Sequence, residues 1–408
     1  MRRRLHAGYQ IALPFPSSET ASIPAVHHPV FTQIDFFCGM GAVRAAFEPH
    51  GWRTVYAVDR SPAKAALYRA RYGDDHLAVA DVWSLTVDDL PPADLWWASF
   101  PCTNTSLSGH RQGINGPESG AYWGIAYLLQ QAAHRHALPP LVALENVQGL
   151  LSLHGGDDLA LILRPLADQG YRLDVLLVDA APFTGQSRPR IVVLAAQPET
   201  GVLASADAGT FIHPLRPEMV QRFVRAHDLP WGYLPLPPLP EESAPLASLM
   251  EDLPAAHAAW CEDGATARLL SLMTPRNRAY VESLVAAPGA NWVSVSRRGR
   301  GGALKAEPRR DGLAGCLRPP KGGSSTQIML RCGEGVVRAR RLLPIESARL
   351  QGLPDLPPTD LPESTVLFAL GDAVCATAIS WVAQTLTSRL AVARALTTTD
   401  TDAPQSAS

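Results

Sequence analysis

The sequence IDFFCGMG at residues 34–41 joins a short apolar run to a glycine-rich turn. A strand that ends in Gly-x-Gly lets the backbone turn sharply and approach a ligand at the carboxyl end of a sheet. A dinucleotide fingerprint would need a third glycine at position 44, where this chain has Arg44. The turn therefore predicts a nucleoside-like ligand and is a poor match to a pyrophosphate cradle.

Short apolar runs alternate with helical segments on the C-terminal side of this turn. Strands that are apolar throughout and alternate with helices indicate a parallel sheet covered on both faces. The chain is therefore predicted to have an α/β fold. The predicted strands are 34–37, 54–58, 94–98, 141–144, 173–178 and 191–195, and the predicted helices include 61–71, 124–136, 277–285 and 379–395.

Composition excludes several classes of protein. The chain has 408 residues, of which 46% are hydrophobic and 18% charged, as in an ordinary globular protein. No apolar run reaches the ~18 residues of a membrane span, and Pro14 and Pro16 interrupt the N-terminal apolar stretch. The six cysteines are scattered without a C-x-x-C pair and the histidines lack metal spacing, which favours a cytoplasmic protein without a metal site.

The charge is unevenly distributed. Residues 271–341 contain 14 basic and four acidic residues, although the whole chain has a net charge of −2. A basic block in an acidic protein predicts a surface that binds a polyanion. The alternative is a solvated surface in an arginine-rich protein, since only three of the 36 basic residues are lysine.

Acidic residues follow the next two predicted strands. Asp59 is placed to accept hydrogen bonds from ribose hydroxyls, and Asp81-Val82 could receive an adenine amino group. Acids at successive strand ends suit a nucleoside with a cationic tail, a description that S-adenosylmethionine fits. The alternative is that these are the ordinary strand-end turns of an α/β fold.

A candidate nucleophile follows the fourth strand, in the sequence SFPC at 99–102. Pro101 fixes the backbone before Cys102, and the strand end directs the thiol toward the crevice. A lone cysteine is usually a small core residue, but here its neighbours are polar. The loop at 107–122 contains four glycines and could form a lid.

Two further segments predict charged groups on the same rim. Glu145 ends the next strand, and the sequence QSRPR occupies 186–190. Alternate residues of an extended segment share a side, so Gln186, Arg188 and Arg190 point the same way. Paired arginines near Cys102 and Glu145 would lower the thiol pKa and hold the carboxylate.

These motifs together resemble the bacterial-type cytosine-5 DNA methyltransferase family. The resemblance rests on DFFCGMG (35–41), FPC (100–102), ENV (145–147), QSRPR (186–190), RRLLPIESARLQGLPD (340–355) and GDAV (371–374), in family order. It implies a Rossmann-like S-adenosylmethionine-dependent methyltransferase domain with an inserted small target-recognition domain. The chain departs from the family pattern at Ala42, at Phe100 and Thr103, and at Asp372, where the family has asparagine.

The resemblance also implies a role for each motif. Cys102 would add to carbon 6 of a flipped-out cytosine in a specific duplex sequence, and Glu145 would contact N3 and the exocyclic amine. Arg188 and Arg190 would organise Glu145 and the base. Phe37 would stack on adenine, with Asp59 at the ribose and Asp81-Val82 at the adenine edge. The remaining cofactor contacts are predicted at Cys38, Gly39, Met40, Gly41, Ala42, Pro101 and Asp372.

The DNA contacts are predicted mainly in the basic segment. In residues 318–327, glycines next to Ser, Thr and Gln would let the backbone approach phosphates and base edges closely. The alternative is that these residues form an ordinary basic hairpin. Trp260 and Trp292 are interpreted as core residues of the small domain. The predicted DNA-binding residues are Gln186, Arg309, Arg310, Arg318, Lys321, Gly322, Gly323, Ser324, Ser325 and Gln327.

The resemblance also predicts the partners of the protein. The partner is predicted to be double-stranded DNA, bound by a monomer, and a restriction or phage-defence system is a second predicted partner. Rival interpretations are a tRNA cytosine methyltransferase on the same scaffold, a catalytically silent DNA-binding protein and a nicotinamide oxidoreductase. The predicted units are an arm (1–29), a catalytic and cofactor domain (30–200), a linker and target-recognition domain (201–340), a return segment with the C-terminal helix (341–395) and a disordered tail (396–408).

Overall fold

A computed structural model describes residues 31–101, 120–205, 212–320 and 326–401. The predicted N-terminal arm, Cys102 with most of the glycine-containing loop, Lys321 to Ser325, and the last residues of the tail lie outside the described residues.

A seven-stranded sheet forms the large domain, in the order β3-β2-β1-β4-β5-β7-β6. The predicted α/β fold is therefore confirmed. The strands are β1 (Phe31–Phe36), β2 (Trp52–Asp59), β3 (Leu77–Val79), β4 (Leu95–Ala98), β5 (Leu141–Val147), β6 (Arg172–Asp179) and β7 (Pro189–Ala196).

The predicted parallel sheet has one antiparallel strand, β7, which runs antiparallel to both β5 and β6. The physical reason is the short connection between β6 and β7, which spans only residues 180–188. A parallel connection needs a crossover of a dozen or more residues. The start of β7 therefore lies at the edge of the sheet where the parallel strands end.

Helices cover both faces of this sheet, and each face has its own cluster of buried apolar residues. The C-terminal helix α10 packs against α1, with Val382, Ala383 and Leu386 buried. The helices of the large domain are α1 (Ala42–Phe47), α2 (Pro62–Tyr72), α3 (Ala121–His134), α4 (Asp157–Asp168), α5 (Glu218–Ala226), α8 (Pro344–Leu350), α9 (Glu363–Asp372) and α10 (Ala376–Thr401).

One stretch, Glu363–Ala393, is long and apolar enough to cross a membrane by length and composition, but 61% of its apolar window is buried in the protein. Its apolar residues belong to the large-domain core, which accounts for its composition.

The predicted boundary at residue 201 lies too early. Val202, Leu215 and Leu234 pack into the core of the large domain, as does helix α5 through Phe223. The buried Arg216 guanidinium donates from Nε to Oδ1 of Asp174 on β6 at 3.1 Å and also bonds the Leu234 carbonyl. This part of the predicted linker is therefore attached to the large sheet. Two short strands, β8 (Ala204–Ser205) and β9 (Gly232–Tyr233), pair here.

The basic segment forms a separate antiparallel sheet in the order β11-β10-β12-β13. Helix α7 packs on this sheet, and Val281, Val295 and Leu330 are among its buried residues. The predicted helix at 277–285 is confirmed within α7. The elements are α6 (Asp263–Ser271), α7 (Pro275–Ala286), β10 (Asn291–Arg300), β11 (Ala303–Pro308), β12 (Ile328–Gly333) and β13 (Val336–Arg341).

A buried ion pair joins the small sheet to the return segment. Arg340 on β13 donates from Nη1 to Oε2 of Glu346 on α8 at 2.6 Å, and both side chains are fully buried. The Arg340 guanidinium also lies over the rings of Trp292 and Trp260, at 4.7 and 5.2 Å from their centroids. The two tryptophans are thus packed around this ion pair.

Candidate active site

A cavity that is open to solvent lies beside the ends of β1 and β2. Phe37, Asp59, Asp81, Val82 and Pro101 line it, so the structure brings these five predicted cofactor residues together. The other lining residues are Val58, Arg60, Ala80 and Ala121, which the sequence prediction did not include.

The glycine turn at the end of β1 has an unusual backbone. Phe37, Gly39 and Gly41 all have positive φ, at 61°, 57° and 87°. A side chain at Gly41 would place its Cβ 2.5 Å from the ring of Tyr72. The second glycine of the motif is therefore required both by conformation and by the close approach of α2.

Asp59 holds this turn in place. Its carboxylate accepts hydrogen bonds from the backbone N–H of Gly39 at 3.0 Å and of Ser61 at 2.8 Å. The predicted contact to a ribose is still sterically open, because Asp59 also lines the cavity. Asp59 therefore has a structural role that the sequence prediction did not include.

Four predicted cofactor residues do not direct side chains into this cavity. Cys38 packs with Ala57 and Tyr68, while Met40 and Ala42 belong to the core of the large domain. Asp372 forms an ion pair with Lys64 at 2.8 Å. Cys38, Met40 and Ala42 can therefore offer only backbone groups to a ligand, and the carboxylate at the family's asparagine position already has a cationic partner.

Asp35 is a buried carboxyl close to Asp59 in this region. It is fully buried at the end of β1, and neither carboxylate oxygen has a hydrogen-bond partner among the described residues. Burial raises the pKa of this carboxyl well above its usual value, and the nearby Asp59 raises it further. The Asp35 carboxyl therefore stays protonated to higher pH than an exposed aspartate does.

Glu145 lies near the end of β5, and its side chain is 9% exposed. The Nε of Arg190 is 3.2 Å from its Oε1. Because β5 and β7 are antiparallel, Arg190 pairs with Val147, two residues beyond Glu145 and on the same face. Burial raises the pKa of the Glu145 carboxyl, against the opposing charges of Arg190 and Arg188.

Arg188 lines a second cavity together with Glu145 and Arg190, and it also has a structural role that the sequence prediction did not include. Its guanidinium donates to the carbonyl oxygens of Leu317 at 2.7 Å, Gly371 at 3.2 Å and Ala373 at 2.7 Å. The ion pair that holds the Glu145 carboxylate comes from Arg190. Arg188 also joins the segment after β11 and the α9–α10 junction to the start of β7.

The structure corrects two predicted DNA contacts. Gln186 is fully buried, where its Oε1 accepts from the Leu317 backbone N–H at 2.8 Å and its Nε2 donates to the Leu350 carbonyl. Gln327 is 7% exposed and its Oε1 accepts from the Gly315 N–H at 2.8 Å and from the Ser294 hydroxyl at 2.7 Å. Both side-chain amides form hydrogen bonds inside the protein. These hydrogen bonds hold the segment that connects β11 to β12.

Among the predicted DNA-contact residues that the structure describes, Arg310 and Arg318 are the exposed ones. The Arg310 guanidinium lies 4.8 Å from the centroid of the Tyr280 ring, and Arg309 is ion-paired with Asp311. The predicted contacts at Lys321, Gly322, Gly323, Ser324 and Ser325 fall outside the described residues.

The described residues contain no group of three or more His, Cys, Asp or Glu side chains that could hold a metal ion. The five cysteines in the described ranges are free thiols.

The fold and the site together define a methyltransferase. The structure of the Dnmt2 methyltransferase of S. pombe superposes with a TM-score of 0.56 at 15% sequence identity, covering 88% of this chain and 98% of that one. The family model for C-5 cytosine-specific DNA methylases matches residues 31–388, and the chain belongs to this family.

Individual relatives match a smaller part of the chain. The Type II methyltransferase M.BsuFI of Bacillus subtilis is 30% identical over 172 residues, which are 42% of this chain and 40% of that protein. The Type II methyltransferase M.MspI of Moraxella sp is 29% identical over 167 residues, or 40% and 38% of the two chains. The matched region thus spans less than half the length of these curated relatives.

The buried Asp35 predicts a pH dependence of stability that Asp35→Asn should reduce. An aspartate in the unfolded chain has a pKa of about 3.9, whereas burial raises the pKa of Asp35 in the fold. Between these two values the folded state holds a proton that the unfolded chain releases. Stability is therefore lost as pH rises, by up to about 1.4 kcal/mol per pH unit.

Urea unfolding at several pH values from 5 to 8 measures this effect. Asp35→Asn should flatten the decline in free energy of unfolding, and Asp360→Asn, a change at an exposed aspartate, should leave it as in the native protein. An unchanged slope in Asp35→Asn would show that the carboxyl does not titrate in this range.

Proposed function

We propose that this protein transfers a methyl group from S-adenosylmethionine to carbon 5 of cytosine in DNA. One observation carries the proposal: the segment before Cys102 joins the cofactor cavity to the catalytic carboxylate. Pro101 lines the cavity, and Ser99 forms a hydrogen bond that lowers the pKa of Glu145. The Nδ2 of Asn146 donates to the Phe100 carbonyl at 3.0 Å, which fixes this segment against the end of β5.

The chemistry requires a nucleophile because carbon 5 of cytosine does not accept a methyl group directly. In the proposed reaction the Cys102 thiolate adds to carbon 6 and makes carbon 5 nucleophilic. Carbon 5 then takes the methyl group, a base removes the proton from carbon 5, and the bond between sulfur and carbon 6 breaks. Since these atoms are inaccessible in a duplex, the base is flipped out.

Glu145 is suited to the developing charge on the cytosine ring. Its raised pKa keeps a larger share of the carboxyl protonated near neutral pH, so that it can share a proton with N3. Arg190 orients the carboxyl through the contact from Nε to Oε1. Burial of this pair strengthens its electrostatic effect on the base.

The cavity residues fit the proposed cofactor. When bound, S-adenosylmethionine supplies an electrophilic methyl group. Phe37 offers a ring for the adenine, Asp59 and Asp81 offer carboxylate acceptors, and Asp35 adds an unsatisfied acid nearby. Lys64 and Asp372 form an ion pair outside the residues that line the cavity.

The small domain is proposed to recognise the target sequence. Its sheet is separate from the large sheet, and the basic residues of the 271–341 segment suit contacts to phosphates. Residues 243–340 form this target-recognition unit in our proposal. By analogy with the Type II methyltransferases that the chain resembles, we further propose a cytoplasmic monomer that serves a restriction or phage-defence system.

Nucleoside analysis of methylated DNA tests the proposed reaction. Purified protein, unmethylated duplex DNA and cofactor should yield 5-methylcytosine. Cys102→Ser should abolish the product, and Glu145→Gln should reduce its rate roughly 10²–10⁴-fold through loss of proton transfer. Cys261→Ser, the same thiol-to-hydroxyl change at an exposed cysteine, is the matched control. Methylation of tRNA with no product on DNA would contradict the proposed substrate.

The salt dependence of DNA binding tests the proposed interface. Arg310→Ala should weaken binding to all duplex sequences and reduce the slope of log K against log[salt] by about 0.9 if it removes one phosphate contact. Arg222→Ala is the control, because Arg222 is exposed on α5 of the large domain and pairs with Glu218. Equal slopes for the native protein and Arg310→Ala would remove Arg310 from the interface.

A further inference from the structure

A cysteine outside the predicted site contacts the arginine that holds Glu145. The Sγ of Cys316 is 3.8 Å from Nη2 of Arg190 and 3.4 Å from Nη1 of Arg188. Cys316 is half-buried and follows the small-domain strand β11 by several residues. It is neither the proposed nucleophile nor a predicted site residue.

The three nitrogens of the Arg190 guanidinium face three different groups. Nε faces Oε1 of Glu145 at 3.2 Å, Nη1 donates to the Pro189 carbonyl at 2.9 Å, and Nη2 donates to Cys316. Because the guanidinium is planar and each of its three nitrogens makes a contact, it cannot rotate without breaking one of these contacts. The sulfur therefore contributes to the angle at which Nε meets Glu145.

The segment that carries Cys316 is firmly attached to the start of β7. The Ala314 N–H donates to the Gly185 carbonyl at 2.7 Å, and the Ser187 N–H donates to the Ala314 carbonyl at 3.0 Å. The Arg188 contact to the Leu317 carbonyl at 2.7 Å completes the attachment. The position of the sulfur is thus set by backbone contacts on both sides.

We propose that Cys316 is a positioning residue of the active site, which orients Arg190 and offsets part of its charge so that Glu145 keeps its proton. The proposal rests on the proposed methyl transfer for its catalytic meaning. It also provides a physical connection between the small domain and the catalytic carboxylate, because Cys316 belongs to the segment that connects β11 to β12.

The charges around Cys316 favour ionisation of its thiol, while the neutral thiol donates from Sγ to the Leu317 carbonyl at 3.4 Å. Burial raises the pKa of this thiol, but the charges of Arg188 and Arg190, with a further contribution from Arg318, outweigh it and hold the pKa below its usual value. Beyond them lie Glu145, paired with Arg190, and Cys375 at the α9–α10 junction, whose own pKa is raised by burial.

Whenever the Cys316 thiol is ionised, the negative sulfur beside Arg190 acts on Glu145. It partly neutralises the cation that lowers the pKa of Glu145, and so leaves that pKa higher than Arg190 alone would. The protonated carboxyl is the active form in the proposed reaction, so activity is lost as pH rises through this pKa. Without the thiolate, that loss should begin at lower pH.

Two variants separate orientation from charge. In Cys316→Ser the hydroxyl still accepts from Nη2 of Arg190, so kcat at low pH should stay within about twofold of native while the alkaline limb of the kcat profile moves to lower pH. In Cys316→Ala both the contact to Nη2 of Arg190 and the charge of the sulfur are lost. The kcat should therefore fall on the order of tenfold, with the KM for the cofactor unchanged. Cys261→Ser is the control and should keep the native profile.

A measurement that needs no turnover tests the contact itself. Alkylation of Cys316 by iodoacetamide, followed by mass spectrometry of its peptide, gives the pH at which the thiol becomes reactive. Arg190→Gln should move that pH upward, because it removes a cation that stabilises the thiolate. An unchanged alkylation profile would overturn the proposed contact even if the protein transferred no methyl group.

The kinetic results decide the catalytic role. The shifted alkaline limb in Cys316→Ser supports the proposal. A native pH profile in both variants overturns it, and so does a loss of activity in Cys316→Ala that only parallels a loss of thermal stability. If the native protein itself methylates no DNA, the proposed function fails, whereas the alkylation experiment still reports on Cys316 and Arg190.

Discussion

The hydrogen bonds of one buried guanidinium join the parts of the chain that make the site. Arg188 at the start of β7 donates to Leu317 in the segment after β11, and to Gly371 and Ala373 at the α9–α10 junction. These three segments are distant in sequence. Removing the guanidinium would leave three buried carbonyl groups without this partner, which is costly in a protein interior. The start of β7 beside Glu145, the small domain and the return segment therefore share one support.

The direction of β7 explains why this support lies at the active site. In a sheet of parallel strands the carboxyl ends form the ligand-binding edge. Because β7 is antiparallel, its first residues meet that same edge, and Arg190 comes beside Glu145. The short connection from β6 enforces this direction. Gly371, whose carbonyl accepts from Arg188, lies close to the Arg318–Pro319 peptide. A Cβ at position 371 would lie 2.3 Å from the backbone atoms of that peptide, so this position requires glycine.

The sequence predicts the parts of this arrangement that depend on local pattern. Apolar runs and glycine turns identify the strands, and the motif residues Phe37, Asp59 and Pro101 do meet at one cavity. What the sequence does not predict depends on long-range packing. Gln186 and Gln327 are polar and close to basic residues, which favours a DNA contact, yet both amides are used inside the protein. Cys316 has no motif of its own, and only the fold brings its sulfur to Arg190.

The central claim is that Arg188 holds the small-domain segment and the α9–α10 junction in place together. Hydrogen exchange of native protein and Arg188→Met tests it, with the exposed Arg222→Met as control. The account predicts faster exchange at both 314–317 and 371–376 in Arg188→Met, while the buried strand β5 keeps its native protection. Faster exchange in only one of the two segments, or in neither, would contradict it.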